Sequence, residues 1–275
     1  MKGTRLDVYL AENGFADSRE KAKALIMEGL VYINGMKAAK AGDTVPDSAE
    51  ITVRGGQEFV SRGGHKLKKA VSSFGLDLSG LSCADIGAST GGFTDCMLQN
   101  GAAKVCCIDV GYGQLAWKLR SDPRVSNFER TNIRYFDVSL LDSPIDFASI
   151  DTSFISLSLV LPKAFEMLAP GGEVVALIKP QFEAGKDKVG KNGVVRDPGT
   201  HKEVILKAAS YAKDTGFAIL GLDYSPIKGP EGNIEYLIHL KKPDGDTDGH
   251  TLTDEDLEIL AETTVNRSHK ELDKQ

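Results

Sequence analysis

Apolar positions recur along this chain with two different spacings, and the change of spacing divides it. Over residues 5–13, Leu6, Tyr9 and Leu10 fall on one helical face. Asp17, Ser18 and Glu20 form a helix-start signal, after which Ala22, Leu25 and Ile26 continue the stripe until Gly29 closes it. Residues 30–35 (LVYING) alternate like a strand and end in Asn-Gly, a tight-turn signal; 49–55 read as a second strand. The glycine-rich stretch 55–67 (GGQEFVSRGGHKL) reads as a junction.

Beyond the junction, short apolar runs alternate with helical periodicity. Strands are expected at 81–86, 104–109, 125–128, 147–151 and 173–178, and helices near 66–74, 91–100, 114–120, 156–168 and 200–215. This alternation predicts an α/β fold, a parallel sheet covered by helices on both faces. Two further strands, 217–223 and 233–240, flank a loop with Pro226, Gly229, Pro230 and Gly232. That loop is too short for a crossover helix, so the last strand should run antiparallel. Residues 244–252 read as an acidic linker, and Thr253 opens a terminal helix carrying Leu257, Leu260 and Val265. The expected units are 1–60, 61–243 and 244–275.

Composition changes this picture little, but charge distribution changes it more. The 275 residues carry a net charge of −6, with +3 over residues 1–69 and −7 over residues 244–275. The front of the chain is therefore basic, and its acidity belongs to the tail. No apolar run approaches the roughly 18 residues of a membrane helix, and the N-terminus has no signal-peptide pattern, so a cytoplasmic protein is expected. Cys83, Cys96, Cys106 and Cys107 form no CxxC pair and no metal-ligand spacing; buried free thiols and no metal are expected. Asn266-Arg267-Ser268 matches the glycosylation pattern, by chance in a protein without export.

The helix–helix–strand–NG–strand order of the first unit, with Arg19, Lys21, Lys23, Lys37 and Lys40 around it, resembles the alpha-L RNA-binding motif. That motif occurs in a ribosomal small-subunit protein, in pseudouridine synthases and in a tyrosyl-tRNA synthetase. The resemblance implies phosphate contacts with little sequence readout. Arg5, Arg19, Lys21, Lys23, Lys37 and Arg62 are the expected RNA-binding side chains.

The turn DIGASTGGFTD (85–95) follows a strand and opens a helix. Gly87, Gly91 and Gly92 let backbone approach a ligand, and the helix start offers free amides. Ser89 stands where the dinucleotide fingerprint has its second glycine. With Asp109 ending the next strand, where an acid can grip ribose hydroxyls, the pattern suits S-adenosylmethionine. Two motifs compete. Gly87-Ala-Ser89-Thr-Gly91 spells the nucleophile elbow of serine hydrolases, with His201 as its only well-placed histidine. Residues 185–191 nearly spell a phosphate loop but end in Asn192 instead of Ser or Thr.

Four charges should meet beyond the strand ends. Asp151 and Lys179 end parallel strands, Glu235 lies near the start of the antiparallel one, and Lys66 opens the preceding helix. Here the chain closely resembles the TlyA family of ribosomal RNA 2′-O-methyltransferases, whose catalytic domain is similar to FtsJ. The carrying motifs are SRGGHKL, DIGASTGGFTD, CCIDVGYGQL, ASIDTSFISL, LIKPQFE, GVVRDP and GNIEYL. The resemblance implies a Rossmann-like S-adenosylmethionine-dependent methyltransferase sheet behind a small N-terminal α+β RNA-binding domain. It implies a catalytic tetrad of Lys66, Asp151, Lys179 and Glu235, and cytidine ribose in ribosomal RNA or ribosomal subunits as substrate. The expected cofactor-binding set is Asp85, Gly87, Ala88, Ser89, Gly91, Gly92, Phe93, Asp109, Val110, Asn132 and Ile133. Lys179 is expected to act as base, Lys66 to hold the hydroxyl or its oxyanion, and the two acids to orient the lysines. Some members carry a hemolysin label, but a membrane-damaging protein should show an export signal or a long basic amphipathic segment, and neither is present. A non-catalytic RNA-binding module is the remaining alternative.

Overall fold

Strand residues that alternate between two apolar faces need a helical layer on each face. A computed structural model describes residues 3–16, 18–46, 49–53, 58–245 and 251–273. In the N-terminal part, β1 (Thr4–Arg5) leads into α1 (Leu6–Glu12), and α2 (Arg19–Met27) follows. The Ser18 hydroxyl caps α2 by accepting from the Lys21 amide, while Asp17 lies outside the described residues. β2 (Val31–Ile33) pairs antiparallel with β3 (Met36–Lys37) and β5 (Ile51–Val53), and β4 (Thr44–Val45) pairs with β1. Asn34 and Gly35 turn the hairpin with φ of 50° and 79°. Leu6, Leu10, Ala22, Ile26, Val31, Ala38 and Val45 close this small core. The two-residue strands β1, β3 and β4 were not expected, because so short a segment shows no alternation. Arg54 and Gly55, the end of the expected 49–55 strand, lie outside the described residues.

The second part is built on a seven-stranded sheet. Its strands are β6 (Ser82–Ile86), β7 (Lys104–Ile108), β8 (Val125–Phe128), β9 (Ile145–Ile150), β10 (Leu168–Ile178), β11 (Ala218–Tyr224) and β12 (Tyr236–Lys241). Their spatial order is β11-β12-β10-β9-β6-β7-β8. β6 to β10 run parallel, and β12 runs antiparallel to both its neighbours, as the short loop demanded. Alternation sorts the two faces: Ala84, Ile86, Cys106, Ile108, Ala176 and Ile178 point one way, and Cys83, Val105, Cys107, Val175 and Leu177 the other. The first face is covered by α6 (Leu161–Met167), α8 (Pro198–Thr215) and α9 (Asp254–Leu272). The second is covered by α3 (Gly63–Phe74), α4 (Gly92–Gln99) and α5 (Trp117–Arg120); the short α7 (Pro180–Glu183) follows β10. All four cysteines are buried and free, and burial pushes the Cys83, Cys96 and Cys106 thiols up to about 12.

Several boundaries differ from expectation: α5 starts at Trp117 instead of 114, and β12 starts at Tyr236 instead of 233, leaving Glu235 just ahead of the strand. The helix expected near 156–168 breaks into a 3-10 turn, Leu157–Leu159, and α6, with Pro162 in the first turn of α6. β10 starts at Leu168, with a register irregularity before Glu173. α3 begins at Gly63, inside the expected junction, so Lys66 sits one turn into the helix instead of opening it. Close packing explains the glycines there: a Cβ on Gly64 would lie 2.1 Å from the Phe59 ring, and one on Gly92 would lie 2.8 Å from the Gly64 amide. Among the described residues no helix is long and apolar enough to cross a membrane.

Gly64→Ala should lower stability by about 1–3 kcal/mol through this overpacking, read as a lower urea midpoint with unchanged slope. An unaltered midpoint would contradict the close approach of α3 to the Phe59 segment.

Candidate active site

The strand order reverses at the β6–β9 junction, and a sheet of this kind opens a crevice there beyond the carboxyl ends. Gly87 leaves β6 and Asp151 leaves β9, and the two backbones nearly touch. A Cβ on Gly87, whose φ is 88°, would lie 2.6 Å from the Asp151 carbonyl oxygen. Only glycine fits this crossing.

Two acids shape the turn from below. The buried Asp85 carboxylate accepts from the Thr94 amide and hydroxyl at 2.9 and 2.7 Å, tying the turn to α4. Burial pushes Asp85 up to about 7 against the pull of these hydrogen bonds. Asp109 accepts from the Ser89 and Gly111 amides at 2.8 and 2.6 Å. Both acids therefore have backbone partners that sequence reading did not anticipate.

Two adjoining cavities lie over the crevice. One, of about 660 Å³, is lined by Gly87, Ser89, Asp109, Val110, Asn132 and Ile133 together with Gln114, Arg134 and Phe154. The other, of about 300 Å³, is lined by Asp85, Gly87, Ala88, Ser89, Gly92 and Phe93 and also by Lys66, Asp151, Lys179 and Glu235. Gly87, Ser89, Asp151 and Ser153 belong to both walls. Of the expected cofactor set only Gly91 lines neither; with φ of 90° it faces Leu115 and Leu119, whose side chains a Cβ would strike.

The four charges share the smaller cavity. Lys66 Nζ lies 2.5 Å from Glu235 Oε2 and 3.7 Å from Asp151 Oδ2, and Lys179 Nζ lies 2.5 Å from Asp151 Oδ1. Lys66, Lys179 and Glu235 are only 7%, 8% and 1% exposed. Burial pulls Lys66 toward neutrality, but Asp151 and Glu235 outweigh it and hold the ammonium above its ordinary range. Lys179 has one carboxylate neighbour and donates to the Ser153 hydroxyl at 3.1 Å. Ser153, two positions beyond Asp151, was missed; a hydroxyl within the ASIDTSF motif was the available signal. Phe154 was missed too. It is 91% exposed, takes a φ of 64° and stands 5.1 Å from Phe182, ring to ring. Such strain in a bulky residue beside a polar cavity marks functional loops.

Arg62 lies on the rim of the tetrad cavity, and so does Lys228. Lys21, Lys23 and Lys37 are exposed on the N-terminal part. Arg5 and Arg19 have a structural engagement as well: both hydrogen-bond the buried Asp7 carboxylate, holding it well below the usual carboxylate range. The competing motifs find no support in geometry. His201 is fully buried and bonded to Tyr236, His269 and the Val195 carbonyl, away from Ser89. Residues 185–191 form 3-10 turns with no strand before them and no α-helix opening from them, and Lys188 pairs with Glu203.

Residues 59–242 match the FtsJ-like methyltransferase family model, and residues 4–51 match the S4 domain model. The chain belongs to the FtsJ-like methyltransferases. It is 47% identical over 273 residues to YqxC of Bacillus subtilis, a candidate rRNA methyltransferase, spanning 98% of this chain and 96% of that one. It is 44% identical over 239 residues to the 16S/23S rRNA (cytidine-2′-O)-methyltransferase TlyA of Mycobacterium tuberculosis, spanning 86% and 89%. A solved structure of a candidate hemolysin from Streptococcus thermophilus is 45% identical, with a TM-score of 0.74 and coverage of 100% and 98%. This FtsJ-like protein is an enzyme, a methyltransferase, and the hemolysin label is a name carried by relatives, not a second function.

The raised Asp85 carboxyl makes a pH prediction. Its folded value near 7 exceeds the ordinary value near 4, so its contribution to stability is full below about pH 4 and is lost as pH rises through about 7. The urea midpoint of Asp85→Asn should therefore gain on that of the wild type between about pH 5 and pH 8. A difference independent of pH would contradict a neutral buried carboxyl.

Proposed function

We propose that this FtsJ-like enzyme transfers a methyl group from S-adenosylmethionine to the 2′-hydroxyl of a cytidine in ribosomal RNA. The observation that carries the reading is the alternating Lys66–Asp151–Lys179–Glu235 cluster beside the glycine turn. Large-subunit RNA, and small-subunit RNA with it, is the target that the name of the mycobacterial relative suggests. Such a substrate implies action in the cytoplasm.

The larger cavity suits a nucleoside donor. The cradle at Gly87 is one that a Cβ would fill, Asp109 keeps lone pairs for ribose hydroxyls beyond those used by Ser89 and Gly111, and Val110, Asn132 and Ile133 add a wall of mixed polarity. S-adenosylmethionine supplies, when bound, an electrophilic methyl on a sulfonium centre. A ribose hydroxyl is a weak nucleophile at neutral pH, so a positioned base assists it. Lys66, between two carboxylates, stays an ammonium and is suited to hold the hydroxyl oxygen as charge develops on it. Lys179, beside one carboxylate and one hydroxyl, is the amine able to take the proton. Asp151 bridges the two lysines, and Glu235 fixes Lys66. The exposed ring of Phe154 supplies a stacking surface for an unstacked base, the form in which single-stranded RNA is read.

The S4 domain supplies the first hold on RNA, through Lys21, Lys23 and Lys37 with Arg5 and Arg19, and Arg62 adds to it from the rim of the methyltransferase cavity.

Lys179→Ala should abolish methyl transfer, a loss of at least about a hundredfold, with donor affinity nearly intact, since Lys179 lines only the smaller cavity. Turnover retained in that variant would remove Lys179 as base. Phe154→Ala should cost about 1–3 kcal/mol in kcat/KM for RNA, as expected of a lost base stack, whereas Phe154→Tyr keeps the ring and most of the activity. Equal kinetics for both variants would rule out stacking. Lys23→Gln with Lys37→Gln should weaken RNA binding and flatten its salt dependence, by about 0.7–0.9 in the log–log slope per lost phosphate contact; an unchanged slope would remove these lysines from the interface.

A further inference from the structure

Three acids of the C-terminal segment pair with lysines of the methyltransferase part. Asp254 pairs with Lys213 and Glu262 with Lys202, both lysines of α8, and Asp273 pairs with Lys228 at 3.3 Å. Leu257, Ala261, Val265 and Leu272 bury the other side of α9 in the main core. The helix is thus an integral layer of the methyltransferase part, and its last turn reaches the rim of the tetrad cavity through Lys228.

Hydrogen bonds tie that last turn to α8. The Val195 carbonyl can only accept, so His201 donates to it from Nε2 at 3.0 Å and keeps Nδ1 as an acceptor. Burial lowers His201 to about 4, consistent with this neutral form. Two groups face the single lone pair of that Nδ1, the Tyr236 hydroxyl at 2.8 Å and His269 Nε2 at 3.1 Å. His269 Nδ1 faces Asp273 Oδ2 at 2.9 Å. Burial opposes ionisation of Asp273, but hydrogen bonds from His269 and Lys228 hold it below the ordinary carboxylate range, so it accepts here. His269 thus joins the His201 ring to the Asp273 carboxylate. A chain His201–His269–Asp273–Lys228 runs from α8 through α9 to the loop 225–235.

That loop encloses Glu235. A Cβ on Gly229 would lie 2.6 Å from Glu235 Oε1, so the loop backbone rests directly on the carboxylate that holds Lys66. Tyr236, the next residue, is the one anchored to His201 and Ser268. The loop has its own closure as well: Gly229 donates its amide to the Asn233 carbonyl and Ser225 donates its amide to Glu235, both at 2.8 Å.

We infer that α9 braces the active site, with His269 and Asp273 as positioning residues that fix the loop over Glu235 and so the Lys66–Glu235 pair. The kinetic part of this inference rests on the methyl-transfer reading; the mechanical part does not. Neither residue touches substrate. Their loss acts through Glu235 and Lys228, on the rate of the bound complex more than on donor binding.

The test uses the full chain in four forms: wild type, Asp273→Asn, Asp273→Glu and the distal control Glu262→Gln. Amide hydrogen exchange is followed at Ser225 and Gly229, and methyl transfer to ribosomal RNA is measured alongside. In Asp273→Asn these amides should exchange faster while the amides of β6 and β9 keep their protection, and kcat should fall by about tenfold with donor affinity unchanged. Asp273→Glu should restore both readouts toward wild type. Glu262→Gln, which removes an ion pair of the same helix far from the loop, should alter neither. Unchanged loop exchange in Asp273→Asn would overturn the brace whatever the activity. So would a loosened loop with undiminished kcat, or an equal loosening in Glu262→Gln. A wild-type protein that methylates no RNA would sink the methyl-transfer reading, and the exchange data would still decide the brace.

Discussion

Four charges in one small cavity, three of them buried, are tolerable only if they alternate. An uncompensated ion in such a place costs several kcal/mol, and breaking a buried pair by removing one partner costs about 3–5 kcal/mol. In this chain Glu235, Lys66, Asp151 and Lys179 alternate in space, so each lysine nitrogen has a carboxylate oxygen at 2.5 Å. Their sequence separation is large: Lys66 and Glu235 are 169 positions apart. Only the sheet can bring them together, and much of its topology serves that requirement. The reversal between β6 and β9 opens the crevice, the antiparallel β12 returns Glu235 to the carboxyl edge, and α3 delivers Lys66 from the covering layer.

The same charge pattern sets the two lysines apart. Lys66 faces two carboxylates, which hold its ammonium above the ordinary range, whereas Lys179 faces one carboxylate and the Ser153 hydroxyl. The asymmetry comes from geometry alone, since the two side chains are chemically identical. Glycines at Gly64, Gly87 and Gly92 act on the next scale up. They allow α3, α4 and the β9 exit to approach within distances that a Cβ would forbid, and so fix where the charges sit.

The architecture of the second part was readable from its alternating apolar runs, because a strand buried on both faces and a helix of two or more turns each leave a period in the sequence. The meeting of Asp151 and Lys179 was readable as well, since residues that end parallel strands share an edge whatever their separation, and an antiparallel last strand brings Glu235 to the same edge. Several features left no such trace. The two-residue strands β1, β3 and β4 are too short to show alternation. Asp85 and Asp109 looked like ligand contacts, yet each also anchors backbone amides, a role that needs coordinates to see. Gly91 turned out to make room for Leu115 and Leu119, and the Phe154 strain is a dihedral, invisible in composition. The tail read only as an acidic linker and a terminal helix because its partners, Lys202, Lys213 and Lys228, lie far off in sequence.

The most direct test of the account is transfer of isotopically labelled methyl groups from S-adenosylmethionine to separated ribosomal subunits and their naked RNA, followed by mapping of the labelled nucleoside. The account predicts label on the 2′-oxygen of cytidine. Label on a base, or none in any ribosomal RNA, would contradict it.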